Sequence, residues 1–302
     1  MCPSIVENRG GAGWNLCERE PQAVIAVVGG LGAAVFWATS LLCSSRSAKL
    51  IGAASVVAWV TLIGFVVAVP LAAAEGVPAG LHGRELWWLA VAGAGNVGGL
   101  LLQYTALRIG KVSLVAPIVS TGGAIAAVLA ALTGEAIGFG AGATLALIAF
   151  GIILGSIAPG AGPSRTLPAA WLAATAACSF GASLYATARV SRALPLIWAI
   201  VPARVTGVVV IALPLVLAGR LRLSRAALPL VLASGLSEIV GFASYGIGTR
   251  HGIAVTAVVA SQFAPLAVLF AYLVFRERLT RLQLGGIVAI VIGVSVLSAL
   301  QA

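Results

Sequence analysis

Aspartate is missing altogether from the 302 residues, and all eight acidic side chains are glutamates. That removes the usual paired-carboxylate or Asp-rich catalysis and argues against ATP-driven pumping by this chain alone. There is no Walker A loop, no GxGxxG between a strand and a helix, and no HExxH, so nucleotide and zinc-hydrolase chemistry have no anchor. The four cysteines, at 2, 17, 43 and 178, show neither CxxC nor metal-ligand spacing and read as unpaired, without a redox or zinc role. Both histidines, His82 and His251, lie at helix breaks, which leaves an intramembrane enzyme without a convergent Ser/His or metal set. No catalytic residue, cofactor or metal site is expected.

Charge is scarce as well, at 9% of residues against 61% hydrophobic, with a mean hydropathy of +1.11. Soluble domains do not have this balance; polytopic membrane proteins do. Apolar runs of about 20 residues with little alternation fit helices crossing about 30 Å of hydrocarbon, not the strands of a β-barrel. The 37 glycines suit close helix packing in lipid. The formal net charge of +10 would suggest nucleic acid in a soluble chain. Here every Lys and Arg except Arg204 lies in a loop or near a helix end, so these are topogenic charges at a membrane surface and no nucleic-acid partner is expected.

Residues 1–22 form a polar, Gly-rich tail, expected to be disordered. The apolar run 23–43 is too long for a signal-peptide core and ends in SSRSAK without a cleavage pattern. Reading apolar runs against charged or Pro/Gly breaks gives ten spans: 23–43, 52–74, 86–107, 112–132, 137–157, 168–188, 194–218, 226–249, 252–275 and 280–300. The linker APGAGPSRTL, 158–167, separates a first five-helix unit, 23–157, from a second, 168–300. Gapless superposition of the two sets Gly93 on Gly235, Gly99 on Gly241, Arg108 on Arg250 and Glu135 on Glu277, and the first helices set Ser40 on Ser183. An odd number of helices per copy inverts the second copy in the membrane. The expected fold is therefore all-α, ten transmembrane helices as two inverted five-helix repeats, with a solute site near the midplane between them.

Two stretches, LQYTALRIGKVSLVAPIVS and TRHGIAVTAVVASQFAPLAVLFAYLVFRERLTRLQLGGIVAIVIGV, resemble the drug/metabolite transporter superfamily of the EamA type. That family has ten helices in two five-helix repeats with a Gly-Glu-Arg-like break between the fourth and fifth helix of each. Arg276-Glu277-Arg278-Leu279 matches the break, whereas Gly134-Glu135-Ala136-Ile137 lacks its Arg. The resemblance covers residues 23–300 and implies solute transport without naming a solute.

Glu238 lies near the middle of its span, where an ionisable group costs at least about 2.5 kcal/mol and marks a functional site by default. Ser234, Glu238, Gly241 and Tyr245 share one helix face, and their repeat mates are Ala92, Asn96, Gly99 and Gln103. Asn96 and Glu238 should then face each other across a central cavity. Arg204 lies 18 residues before Arg222 and Glu238 lies 16 after it, which sets the two charges at similar depth on adjacent antiparallel helices. Either Glu238 carries protons and couples them to solute movement, or it is a fixed counter-ion to Arg204. A third role for Arg204 is interfacial, as family members often begin this helix with Arg. Ser40, Ser183, Thr121 and Gln262 are secondary cavity candidates, the last two beside Pro117 and Pro265, where a proline frees carbonyls and suits a gate. Trp87, Trp88, Trp171 and Trp198 near span ends read as interfacial anchors.

The expected function is secondary active transport, as an exporter, of small metabolites or drug-like solutes by alternating access, with protons as the candidate coupling ion. The partners are a small solute and the lipid bilayer, the protein is a monomer or homodimer, and the location is a bacterial-type inner membrane. Alternatives are a lipid-linked or nucleotide-sugar carrier, which needs more cavity Lys or Arg, and a non-transporting membrane subunit. Lys and Arg are more numerous on the side opposite the N-terminus, which by the positive-inside rule puts both termini outside. The family resemblance implies termini in the cytoplasm.

Overall fold

In lipid each backbone N–H and C=O must be satisfied within its own segment, and the chain is accordingly helical. The computed structural model describes residues 14–78, 81, 83–133 and 163–275, with scattered positions between 281 and 292. The helices are α1 (Trp14–Ile51), α2 (Ala53–Glu75), α3 (Gly83–Ile109), α4 (Val112–Leu132), α5 (Pro163–Ala193), α6 (Leu196–Leu217), α7 (Leu228–Thr249), α8 (Ile253–Ala260) and α9 (Phe263–Phe275). No strand occurs among the described residues. The expected fifth span at 137–157, the breaks at 134–137 and 276–279, residues 1–13 and most of 280–300 lie outside the described residues. Seven helices among those described are long and apolar enough to span a membrane.

Three elements differ from expectation. Helix α5 begins at Pro163, inside the expected linker at 158–167, and runs to Ala193 instead of spanning 168–188. Helix α1 starts at Trp14 rather than Ala23 and runs through the SSRSAK segment to Ile51. Serine usually competes with a helix, but here Ser47 donates to the Cys43 carbonyl at 2.8 Å and Ser44 bonds the Ser234 hydroxyl on α7 at 2.6 Å. Their hydroxyls are thus satisfied without ending the helix. The run 252–275 is two helices, α8 and α9, broken at Ser261 and Gln262. Pro265 is the cause: it has no N–H for the Ser261 carbonyl, and its ring crowds that oxygen. Pro117 leaves α4 unbroken, with Ser120 donating to the Pro117 carbonyl at 2.7 Å. Helix α6 widens into a π-turn at Val208–Ala212, just before Pro214.

The principal contacts cross the linker. Helix α1 packs most extensively on α7, and α3 packs on α5. Glycine permits both approaches. A Cβ on Gly29 of α1 would lie 2.7 Å from the Gly248 Cα and the Ser244 carbonyl of α7. The pairs also correspond by repeat. Ser40 of α1 bonds the Ser234 hydroxyl of α7 at 2.9 Å, while Ser183 of α5 donates to the Ala92 carbonyl of α3 at 2.7 Å. Each contact joins one member of the Ser40 and Ser183 pair to one member of the Ser234 and Ala92 pair.

Gly29→Ala should lower the thermal unfolding midpoint in detergent, because the methyl meets backbone that cannot move aside, at a cost of about 1–3 kcal/mol. Gly98 has nothing within 4 Å of its would-be Cβ. Gly98→Ala should leave the midpoint unchanged or raise it, by about 0.5–1 kcal/mol from helix propensity.

Candidate functional site

Helical register brings polar groups of both units to one cavity. Asn96, Leu100 and Gln103 line it from α3, Glu238 and Phe242 from α7, and Trp37, Ser40 and Leu41 from α1, each set on a single helix face. Tyr104, Phe180, Leu184, Ser261 and Phe263 complete most of the wall, with Gly122 and Gly123 of α4. The space, counted to its mouth, is about 580 Å³. Its lining contains one charged residue, Glu238, and no Lys or Arg among the described residues.

The aromatic wall rests on glycine seats. A Cβ on Gly99 would come within 2.7 Å of the Phe180 ring, and one on Gly241 within 2.6 Å of the Trp37 indole. In the register expected from the sequence these glycines correspond, and each leaves room for a ring from the other unit to approach the helix. Trp37 is the hub, with centroids 5.2 Å from Phe242, 5.6 Å from Tyr245 and 6.4 Å from Phe263. Such contacts hold the rings in fixed orientations.

Glu238 is only 5% exposed and Asn96 only 1%. The Ser40 hydroxyl donates to the Glu238 Oε2 at 3.4 Å and contacts Ser234, which in turn contacts Ser44, so a serine chain from α1 and α7 flanks the carboxylate. The Asn96 amide makes no hydrogen bond within 3.5 Å among the described residues, although it faces the same cavity as Glu238.

Arg204 is 0% exposed. It is therefore not at the interface; it lies across α2, where a Cβ on Gly64 would meet its Cδ at 2.5 Å, with its Cζ 5.5 Å from the Phe242 ring centroid. None of its guanidinium nitrogens has a hydrogen-bond partner among the described residues, and it makes no N–O contact with Glu238 within 4.0 Å. Arg204 packs against Phe242 and does not line the cavity.

Of the remaining candidates, Gln103 lines the cavity, whereas Ser234 and Tyr245 are buried behind it. Ser183 is committed to the Ala92 carbonyl. Thr121 is half-buried and does not line the cavity. Gln262 sits in the α8–α9 break, its Nε2 unpartnered among the described residues. Trp87 and Trp171 are exposed as expected of anchors, whereas Trp88 is half-buried against Tyr185. Sequence reasoning missed Tyr104 and the rings of Phe180, Phe242 and Phe263 as cavity walls. The available signal was a glycine at Gly99 and Gly241 in register with mid-span aromatics, but the partners sit on different helices.

The model of the EamA-like transporter family matches the chain twice, over residues 24–157 and 167–299. Among solved structures, the crystal structure of a protein 20% identical aligns with a TM-score of 0.71, covering 91% of this chain and 96% of that one. At that identity the likeness shows the fold alone. No curated protein matches the chain.

Two buried ionisable groups that make no direct contact are a poor source of stability, so removing both should cost little. The double variant Arg204→Met/Glu238→Gln should unfold within about 1 kcal/mol of the parent or later. Arg204→Met alone, which strands the carboxylate, should unfold earlier. Detergent melting curves of the three proteins test the ordering.

Proposed function

The chain belongs to the EamA-like transporter family, and on that premise we propose that it is a secondary active transporter. In this reading it exports small neutral, zwitterionic or amphipathic solutes across a bacterial-type inner membrane by alternating access of two inverted repeats. The observation that carries the reading is the meeting of Asn96 and Glu238, repeat mates from different units, in one aromatic-walled cavity. A concave, mostly apolar site with a few convergent polar groups is the ordinary form of a small-molecule site.

The wall chemistry favours some solutes over others. Rings of Trp37, Phe180, Phe242 and Phe263 offer stacking surface, while Asn96, Gln103 and Glu238 orient a polar group. The lack of Lys or Arg in the described lining disfavours polyanions such as nucleotide sugars. In the proposed cycle Glu238 exchanges a proton for solute, with Ser40 donating to the carboxylate and the unpartnered Asn96 amide contacting the solute.

Liposomes containing the purified protein should release or accumulate a solute from a panel of amino acids, amines and dyes, with flux that depends on pH. Glu238→Gln should retain fold and some solute binding while losing the pH dependence. Flux with unchanged rate and pH profile in Glu238→Gln would sink the coupling role. Absence of any flux by the parent would favour a non-transporting subunit.

A further inference from the structure

A second recess lies at the membrane surface where α1 turns into α2. Ile51 to Ser55 form its floor, and Arg108 from the end of α3 and Arg220 and Arg222 from the loop after α6 surround it. Leu101, Thr105 and Leu215 form a wall that runs from the arginines towards the hydrocarbon. Counted to its mouth the space is about 840 Å³. None of the three guanidiniums has a carboxylate within 4.0 Å among the described residues.

Three like charges around one recess repel, so the fold must hold them there. The loop is tied on both faces. The Trp59 indole N–H donates to the Arg222 carbonyl at 3.0 Å, and the Arg222 N–H donates to the Ser55 hydroxyl at 3.3 Å. Upstream, the Arg220 and Leu221 N–H groups both donate to the Leu215 carbonyl, at 2.8 and 3.1 Å, across Gly219 at φ 62°. Two arginines are thus carried on a fastened turn. Below them α2 begins without a side-chain cap, its N-cap Gly52 at φ 90° with open space where a Cβ would stand. Its first-turn N–H groups add to the positive potential. Leu50, Val216 and Leu217, close in sequence to the lining residues Ile51 and Leu215, are all exposed.

Topogenic arginines alone need only point at the headgroup layer; they need not converge, and a loop need not be fastened to hold them. Convergent guanidiniums bind phosphate oxygens in pairs, and basic recesses between membrane helices take anionic headgroups. We propose that this recess binds the phosphate headgroup of an anionic membrane phospholipid, with its acyl chains lying along Leu215 and Leu217. The site is separate from the central cavity and does not depend on what that cavity carries.

The test uses the full chain in mild detergent, with phosphatidylglycerol, phosphatidylcholine or inorganic phosphate added, read by native mass spectrometry and by thermal midpoint. Phosphatidylglycerol should bind and raise the midpoint where phosphatidylcholine does not. Removal of each arginine, as Arg108→Gln, Arg220→Gln and Arg222→Gln, should weaken binding on the order of tenfold. Arg225→Gln, which removes the same charge from the same loop outside the recess, should change it little. A variant carrying all three substitutions should lose the preference for phosphatidylglycerol; if it does not fold, the three single variants carry the comparison. Equal binding of the two lipids, or equal loss in Arg225→Gln, would reduce the arginines to surface charge and overturn the site. Protection by inorganic phosphate equal to that by phosphatidylglycerol would overturn the lipid assignment in favour of a soluble anion.

Discussion

Helices in a bilayer gain nothing from hiding apolar surface from one another, because the lipid is as apolar as they are. What holds them together is close van der Waals contact and the few hydrogen bonds that have no better partner. In this protein that constraint falls on the crossings of α1 with α7 and of α3 with α5. Gly29 lets backbone meet backbone, Ser40 and Ser44 find Ser234, and Ser183 finds the Ala92 carbonyl. Because both crossings join one unit to the other, the cavity between them is a consequence of how the chain associates. The glycines that bring the helices together, Gly99 and Gly241, also seat the rings that wall the site.

Much of this architecture is legible in the chain. Runs of apolar residues bounded by Arg, Gly or Pro place α2, α3, α4, α6 and α7 within a few residues, since a span has a length fixed by the bilayer. The ends of α1 are not legible, because serines whose hydroxyls are satisfied by another helix read as a loop when that helix is unknown. The split between α8 and α9 was half visible: Pro265 marks a freed carbonyl, but only tertiary packing decides that α8 and α9 separate there while α4 survives Pro117. In the site, Glu238, Asn96 and Gln103 are readable by spacing alone. The rings of Phe180 and Phe242 are not, because an aromatic in a membrane helix is unremarkable until its glycine partner on another helix is known.

Arg204 shows where charge reasoning and packing part company. Equal depth suggested a direct pair with Glu238, and depth does bring them into electrostatic reach. The guanidinium nevertheless stacks against Phe242 and fills the space left by Gly64. A cation on an aromatic face gains roughly 0.5–2 kcal/mol, more as it is desolvated, which offsets part of its burial. The arrangement leaves the carboxylate without a hydrogen bond from Arg204. Ser40 donates to its Oε2 at 3.4 Å, and its remaining acceptor positions are open to whatever enters the cavity.

The two units share their contact positions and differ in the groups they place there. Ser234 stands where the first unit has Ala92, and Glu238 where it has Asn96. Were both cavity positions glutamate, two carboxylates would face one another in a medium of low dielectric, and one would have to remain protonated. Were both amide, the cavity would have no carboxylate among its described lining residues. One charge on one repeat makes the two faces of the cavity unequal while the backbone remains matched. Alternating access needs two backbone states of similar energy, which repeated architecture supplies, and coupling needs a single group whose protonation can bias them. Placing that group in only one copy meets both requirements, so the proposed proton-coupled cycle would draw its asymmetry from the difference between Asn96 and Glu238.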